Sequence, residues 1–244
     1  MRTFELSNLR TLGPLLSFAL VTGRNKPRPV GEQVSDLTAG RLSVYLRCLT
    51  SLEAAGVKTT SSKALAAAFH LNAAQIRKDL AYFGEFGVRG VGYYVSELKA
   101  HLRAILGLDR PVRVAILGAG NLGLALADYQ GFQEEGFVIV GLFDTAPAKV
   151  GGRSRNGVGI HDLAEFRRLA CAGEVDIAAV AVPAEAAQNV VNTIVECGVR
   201  AILNFSPGAL RVPSGVKLKN VDLTVSLESL SFFLARGDAS VPIR

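Results

Sequence analysis

Tryptophan is absent from this 244-residue chain, its one methionine is Met1, and its cysteines number three. Cys48, Cys171 and Cys197 lie far apart with no Cys-x-x-Cys pair, which argues against a thiolate zinc site or a dithiol redox pair. Each is expected as a small buried hydrophobe, and so sparse and odd a count suits a reducing cytoplasm better than a secreted disulfide scaffold. Long apolar runs are missing too: no stretch reaches the roughly 18 residues that a spanning helix needs. The nearest, residues 11–22, holds Gly13 and Pro14, and no small-x-small cleavage site precedes Arg24. It is read as an extension rather than a signal peptide.

What is present is 49% hydrophobic and 20% charged, enough to bury a core and too apolar for global disorder. Positive charge is unevenly placed. Residues 1–110 carry fifteen basic and eight acidic side chains, whereas residues 111–244 carry twelve and thirteen. A polyanion partner is therefore expected for the first part alone.

The chain changes character along its length. Residues 1–36 lack a sustained period, include the Pro/Gly/Arg-rich stretch 23–31, and are expected as a flexible tail. Residues 37–108 read as a small helical domain. Leu42, Tyr45, Leu46, Leu49 and Leu52 recur at helical spacing over 40–55. Ser61 or Ser62 caps a second helix over 63–69, and Asn72 with Gln75 opens a third through about Tyr82. Glycines alternating with aromatic and branched residues over 84–95 predict a β-hairpin, and a fourth helix follows over 96–107. Three short helices and a glycine-rich hairpin are the layout of a winged helix, in which one helix enters the major groove and the hairpin touches backbone or minor groove. On the third helix Ile76, Leu80 and Phe83 face inward. Gln75, Arg77, Lys78 and Tyr82 lie elsewhere and are candidates for base or phosphate contact, with Arg89 at the hairpin tip.

After Asp109-Arg110-Pro111 the pattern alternates strand and helix through residue 223. Strands are expected over 112–117, 137–143, 177–182, 199–205 and 216–223. Helices are expected over 121–129, 161–172 and 184–197. Continuous apolar strands between helices predict a doubly wound parallel sheet covered on both faces. The first strand runs into Gly118-Ala119-Gly120-Asn121-Leu122-Gly123. In such a loop the first glycine permits a tight turn, the second lets backbone approach a pyrophosphate, and the third allows close helix–strand contact. Asp144, 21 residues after Gly123, ends the second strand. A carboxylate there accepts from an adenosine ribose and repels a 2′-phosphate, and no arginine stands beside it, so NAD(H) is favoured over NADP(H).

Dinucleotide binding alone supplies no chemistry. No tyrosine is followed four residues later by lysine, and past the glycine loop the one histidine is His161, expected at the start of a surface helix. No catalytic residue is assigned, no metal site is expected, and an enzyme is disfavoured, with a small NAD-dependent oxidoreductase kept as one alternative. A CoA-binding Rossmann protein is the other alternative, because related domains bind CoA through a similar loop.

The run Arg77-Lys78-Asp79-Leu80-Ala81-Tyr82-Phe83-Gly84, followed by Gly87-Val-Arg-Gly90-Val-Gly92-Tyr93, resembles the signature of the redox-sensing transcriptional repressor Rex family. So do the glycine loop, Asp128-Tyr129 with Gly131-Phe132, Phe143-Asp144, Val182-Pro183-Ala184, Asn204-Phe205-Ser206-Pro207, Asn220-Val-Asp222-Leu223 and Leu230-Ser231-Phe232. The resemblance spans roughly residues 37–235. It implies a homodimer of N-terminal winged helices and Rossmann NAD(H)-binding domains, with the last helix, about 226–235 within the tail 224–244, exchanged between protomers. It implies a cytoplasmic repressor of respiratory or fermentative genes that binds a double-stranded operator with inverted-repeat symmetry. It further implies that NADH closes the dimer and releases the DNA. Tyr129, Val182, Pro183, Asn204 and Asp222 join the expected cofactor site. Arg47, Tyr129 and Asp222 are the implied switch residues, and Leu223 stands where some relatives carry phenylalanine.

Overall fold

The computed structural model describes residues 35–236, which divide into two compact units at Leu102/Arg103. The expected flexible tail lies outside the described residues except for Ser35 and Asp36, which cap and open the first helix.

In the first unit α1 (Asp36–Ala54) begins four residues before the expected 40, because the Ser35 hydroxyl accepts from the Thr38 N–H. Its stripe of Leu42, Tyr45, Leu46 and Leu49 is buried. Then come β1 (Thr59–Thr60), α2 (Ser62–Phe69) and α3 (Ala73–Phe83). Ser61 caps α2, and the Asn72 side chain accepts from the N–H groups of Ala74 and Gln75 to cap α3. α2 and α3 pack together across the one-turn link at His70, whose φ of 53° is left-handed. Last come β2 (Tyr93–Tyr94) and α4 (Val95–Ile105). Leu42, Leu49, Leu65, Ile76, Leu98 and Leu102 form the fully buried centre of this unit.

The hairpin expected over 84–95 is different in kind. Val88 and Gly92 close a tight turn by reciprocal backbone hydrogen bonds of 2.7 and 2.9 Å, with Gly90 and Gly92 at positive φ. The strand that follows pairs antiparallel with Thr59–Thr60 rather than within the loop. A side chain at Gly92 would strike the Thr60 carbonyl, so this glycine admits the pairing.

The second unit is a six-stranded parallel sheet. Its elements in chain order are β3 (Val112–Leu117), α5 (Asn121–Ala127), α6 (Gln130–Glu134), β4 (Phe137–Phe143), β5 (Ile160–His161), α7 (Leu163–Cys171), β6 (Ile177–Val180), α8 (Ala184–Glu196), β7 (Ala201–Asn204), β8 (Lys217–Asn220) and α9 (Leu223–Ala235). The spatial order β5-β4-β3-β6-β7-β8 is that of a dinucleotide-binding sheet, whose order reverses beside β3.

Four expectations need correction. The helix expected over 121–129 stops at Ala127, and Tyr129 precedes the separate short helix α6. His161 belongs to the edge strand, paired with Phe143, and the next helix starts after the Asp162 cap. The last strand ends at Asn220, because the Asp222 carboxylate caps α9 and Leu223 is already helical. Finally, among the described residues the sheet is not covered on both faces throughout. Right-handed crossovers put connections that run one way along the sheet on one face and those that run back on the other. α7, α8 and the loop 205–216 all serve the run from β5 to β8. Only α5, α6 and the loop 144–159 serve the run from β3 to β5. The face opposite α8 therefore keeps an apolar groove of Val114, Ile139, Ile177, Leu203 and Phe205, rimmed by Phe132. α9 is apolar and exposed as well: Leu223, Leu227, Leu230, Phe232 and Leu234 are each more than 60% accessible. Among the described residues no helix is long and apolar enough to cross a membrane.

Candidate nucleotide and nucleic-acid sites

Of the two expected sites, the glycine loop is the one built from backbone. β3 ends at Leu117, and Gly118 turns the chain at φ +108° while its N–H donates to the Phe143 carbonyl at 2.7 Å. A Cβ at Gly118 would meet the Ala181 carbonyl, and one at Gly123 would meet that of Gly118. Gly120 has open space around it. The three glycines thus divide into two that permit packing and one that faces open space, as a pyrophosphate loop requires.

Asp144 ties this loop to the end of β4. Its carboxylate accepts from the N–H groups of Ala119 (2.8 Å) and Ala146 (2.9 Å) and from Lys149 Nζ (2.8 Å). Burial alone would raise its pKa, but Lys149 and the two N–H donors hold it below the usual carboxylate range. Lys149 escaped the sequence reading, which weighed only an adjacent arginine. The signal was a cation five residues past the acid.

Gly118, Gly120, Asp144, Val182 and Pro183 line one cleft, together with Lys149 and Leu163. Ala119 and Gly123 are buried beneath it, and Asn121 and Leu122 are exposed on the first turn of α5. Tyr129, Asn204 and Asp222 lie outside that wall. Tyr129 is 59% exposed and sits edge-on to Phe132, ring centroids 5.0 Å apart. Asn204 is buried and internally engaged. Its amide donates to the Ser206 carbonyl and to Asn220 Oδ1, while its oxygen accepts from the Ser206 N–H. Ser206 in turn donates its hydroxyl to the Val182 carbonyl at 2.6 Å. Asn204 thereby fixes the cleft wall at Val182 from behind. Asp222 is exposed and accepts from the N–H groups of Thr224 and Val225 at the head of α9.

In the first unit the expected DNA-contact residues have unequal surroundings. Lys78 and Arg89 are exposed, Arg89 on the tight turn between Val88 and Gly92. Arg77 is exposed and donates to the Ser62 hydroxyl at 3.0 Å, tying α3 to α2. Tyr82 is half-buried, edge-on to Phe83. The Gln75 amide, expected at a base edge, donates to Asp79 Oδ1 at 2.7 Å. Arg47 is exposed on α1.

Asp79 organises this surface and was not singled out from the sequence. Only 4% exposed, it accepts from Arg41 Nε and Nη2 at 2.6 and 2.8 Å, from the Tyr45 hydroxyl at 2.9 Å, and from Gln75. The Arg41 hydrogen bond holds its carboxyl below the usual range, and burial together with Asp79 pushes the Tyr45 phenol up to about 12. The network clamps α3 against α1 and orients its outward side chains.

Comparison with known proteins adds to this geometry. Residues 33–81 match the family model described as "Putative DNA-binding protein N-terminus", and residues 109–208 match "CoA binding domain". The chain is 46% identical over 200 residues to the redox-sensing transcriptional repressor Rex of Desulfitobacterium hafniense, covering 82% of this chain and 95% of that one. To the protein of the same name from Syntrophomonas wolfei it is 48% identical over 203 residues, covering 83% and 96%. Among solved structures, RSP in complex with β-NAD+ and operator DNA superposes with a TM-score of 0.79 at 38% identity, covering 85% of this chain and 95% of that one. RSP with β-NADH gives 0.74 at 37% identity, covering 85% and 97%.

Proposed function

The chain belongs to the Rex family of redox-sensing transcriptional repressors, and from that premise we propose how its parts divide the work. Residues 37–108 read a double-stranded operator of inverted-repeat symmetry, and residues 109–223 bind NAD(H). NADH binding releases the DNA. The protein is a regulator rather than an enzyme and acts in the cytoplasm.

The observation that carries the nucleotide half is the cleft at the strand-order reversal, where Gly118, Gly120 and the Asp144 carboxylate face one space. Pyrophosphate would lie along the open glycine backbone and the adenosine ribose against Asp144. Val182 and Pro183 form the facing wall. The family model for residues 109–208 bears the name of CoA, but the full-length relatives are redox-sensing repressors and RSP is solved with both β-NAD+ and β-NADH. NAD(H) is therefore the cofactor proposed here. On the DNA side, Arg77, Lys78 and Arg89 are the proposed backbone and base contacts. Tyr82 lies beside them, and Gln75 supports them through Asp79.

Two apolar surfaces on one chain favour a homodimer. The exposed side chains of α9 and the open sheet groove each leave hydrophobic area in water that a second copy would bury. Exchange of α9 between protomers is the arrangement we propose, with tail residues 237–244 outside the described chain. Two readers on a two-fold axis then require a palindromic site.

Arg47, Tyr129 and Asp222 are the proposed relay. Nicotinamide carries a positive charge in NAD+ and none in NADH, so a nearby carboxylate and phenol distinguish the two. A ligand moves an equilibrium only by its differential affinity for the two states. Because Asp222 also caps α9, Asp222→Ala would fray that helix by about 1 kcal/mol. Asp222→Asn keeps a capping oxygen and removes the charge, so it isolates the relay. The test of the whole reading is a gel shift with an inverted-repeat duplex. NADH should abolish the shifted band and NAD+ should preserve it; equal bands with either cofactor would refute the sensor.

A further inference from the structure

The two cysteines of the second unit are far apart in sequence and stand at the C-terminal ends of two adjacent helices. α7 and α8 lie side by side on one face of the sheet, with Phe166, Ala170, Val191 and Ile194 in a common core. Their register is fixed one turn before the cysteines, where Arg167 donates to the Thr193 hydroxyl at 3.3 Å and pairs with Glu196 at 3.5 Å. Cys171 follows Arg167 by four residues and Cys197 follows Thr193 by four, so the next turn of each helix carries a thiol toward the other. Cys171 acts electrostatically on the Cys197 thiol, so the two are neighbours across the helix pair. Cys171, the last residue of α7, is exposed; Cys197, the C-cap of α8, is buried.

We propose that Cys171 and Cys197 form a peroxide-sensitive dithiol that closes to an intrachain disulfide. This revises the expectation that each cysteine is a buried hydrophobe, which Cys171 contradicts by its exposure. Cys171 meets the oxidant first. Its thiolate attacks one oxygen of hydrogen peroxide: an S–O bond forms, the O–O bond breaks, and the departing oxygen leaves as water after taking a proton. The Cys197 sulfur then attacks the Cys171 sulfur. An S–S bond forms, the S–O bond breaks, and the leaving hydroxide takes the Cys197 proton as a second water. Two thiols are oxidised by one peroxide, which is reduced to two waters. Burial pushes the Cys197 thiol up, which suits it to the second, resolving role. Both helices run against the strands, so the pair lies at the sheet edge opposite the glycine loop. Cys48, buried in the first unit, is an internal control.

The test treats the full chain with a small excess of hydrogen peroxide, alkylates, and maps tryptic peptides without reduction. Titratable thiols should fall from three to one, with the Cys171 and Cys197 peptides joined and dithiothreitol restoring both. The oxidised chain should melt about 5 °C higher, since the closed loop restricts the unfolded state. Cys197→Ser should leave Cys171 as a sulfenic acid that dimedone traps, and Cys171→Ser should keep both remaining thiols under the same peroxide. Three persisting thiols, a bridge through Cys48, a cross-link between chains, or Cys171 oxidised to sulfinic acid without a bridge would each overturn the assignment.

Discussion

Asp79 of the first unit and Asp144 of the second are both carboxylates held below their usual pKa, and they differ in who holds them. Asp79 is enclosed by side chains of two helices, Arg41 and Tyr45 from α1 and Gln75 from α3. Asp144 is held from beneath by two backbone N–H groups, and from the open side by Lys149, itself 43% exposed. The first acid is a closed structural clamp. The second has one part-exposed partner at a cleft, the ammonium that the proposed ribose hydroxyl would displace. Burial and charge alone do not separate a structural acid from one placed to bind; the exposure and origin of its donors do.

The largest effect expected from this contrast is on stability. Asp79→Ala leaves the Arg41 guanidinium and the buried Tyr45 hydroxyl without their acceptor and should cost about 3 kcal/mol, read by denaturant unfolding of the first unit. Asp144→Ala should cost well under half of that. Equal losses would break the distinction between clamp and site. On DNA, replacing both Arg77 and Lys78 by alanine should weaken operator binding on the order of 100-fold while leaving NADH affinity unchanged. Because Arg77 also holds Ser62, Lys78→Ala alone is the cleaner probe and should cost about tenfold. Undiminished binding in the double variant would move the reading surface off α3.

Cofactor choice sharpens the Asp144 side. Asp144→Ala should reduce the preference for NADH over NADPH by about tenfold, while Lys149→Ala should increase it, since the ammonium favours a 2′-phosphate. Changes in the same direction would mean that the pair does not contact the ribose. The smallest effect is acid sensitivity. A carboxylate depressed in the folded state contributes stability above its unfolded pKa of about 3.9, and that stability is lost as pH falls through the folded value. The first unit should therefore melt at nearly constant temperature from neutral pH down to about pH 5 and lose stability below about pH 4. Asp79→Asn should flatten that decline.

The second unit was the more legible in sequence, and the reason is physical. Strands β3 and β4 fall on their expected residues because buried parallel strands are continuous apolar runs. A site made of backbone needs particular glycines, so Gly118, Gly120 and Gly123 announce it. The proposed site of the first unit is made of side chains, and Arg77, Lys78 and Asp79 are adjacent polar residues on one helix that local sequence cannot rank. Which of them turns inward depends on Arg41 and Tyr45, over 30 residues away. The same holds for Asn204, expected at the cofactor and engaged with Ser206 and Asn220, and for the pairing of Tyr93–Tyr94 with Thr59–Thr60. Asp222 read as a strand end because the apolar run through Val221 and Leu223 continues into α9 without a change of composition.

The central claim is that nucleotide and operator compete through one conformational equilibrium, and thermodynamic linkage tests it from the nucleotide side. The measurement is the NADH dissociation constant of the full chain, by intrinsic NADH fluorescence, with and without saturating inverted-repeat duplex at one salt concentration. Operator should weaken NADH binding by the same factor by which NADH weakens operator binding. Asp222→Asn should bring that factor toward one while retaining both separate affinities. An NADH affinity that operator leaves unchanged in the wild-type chain would contradict the account.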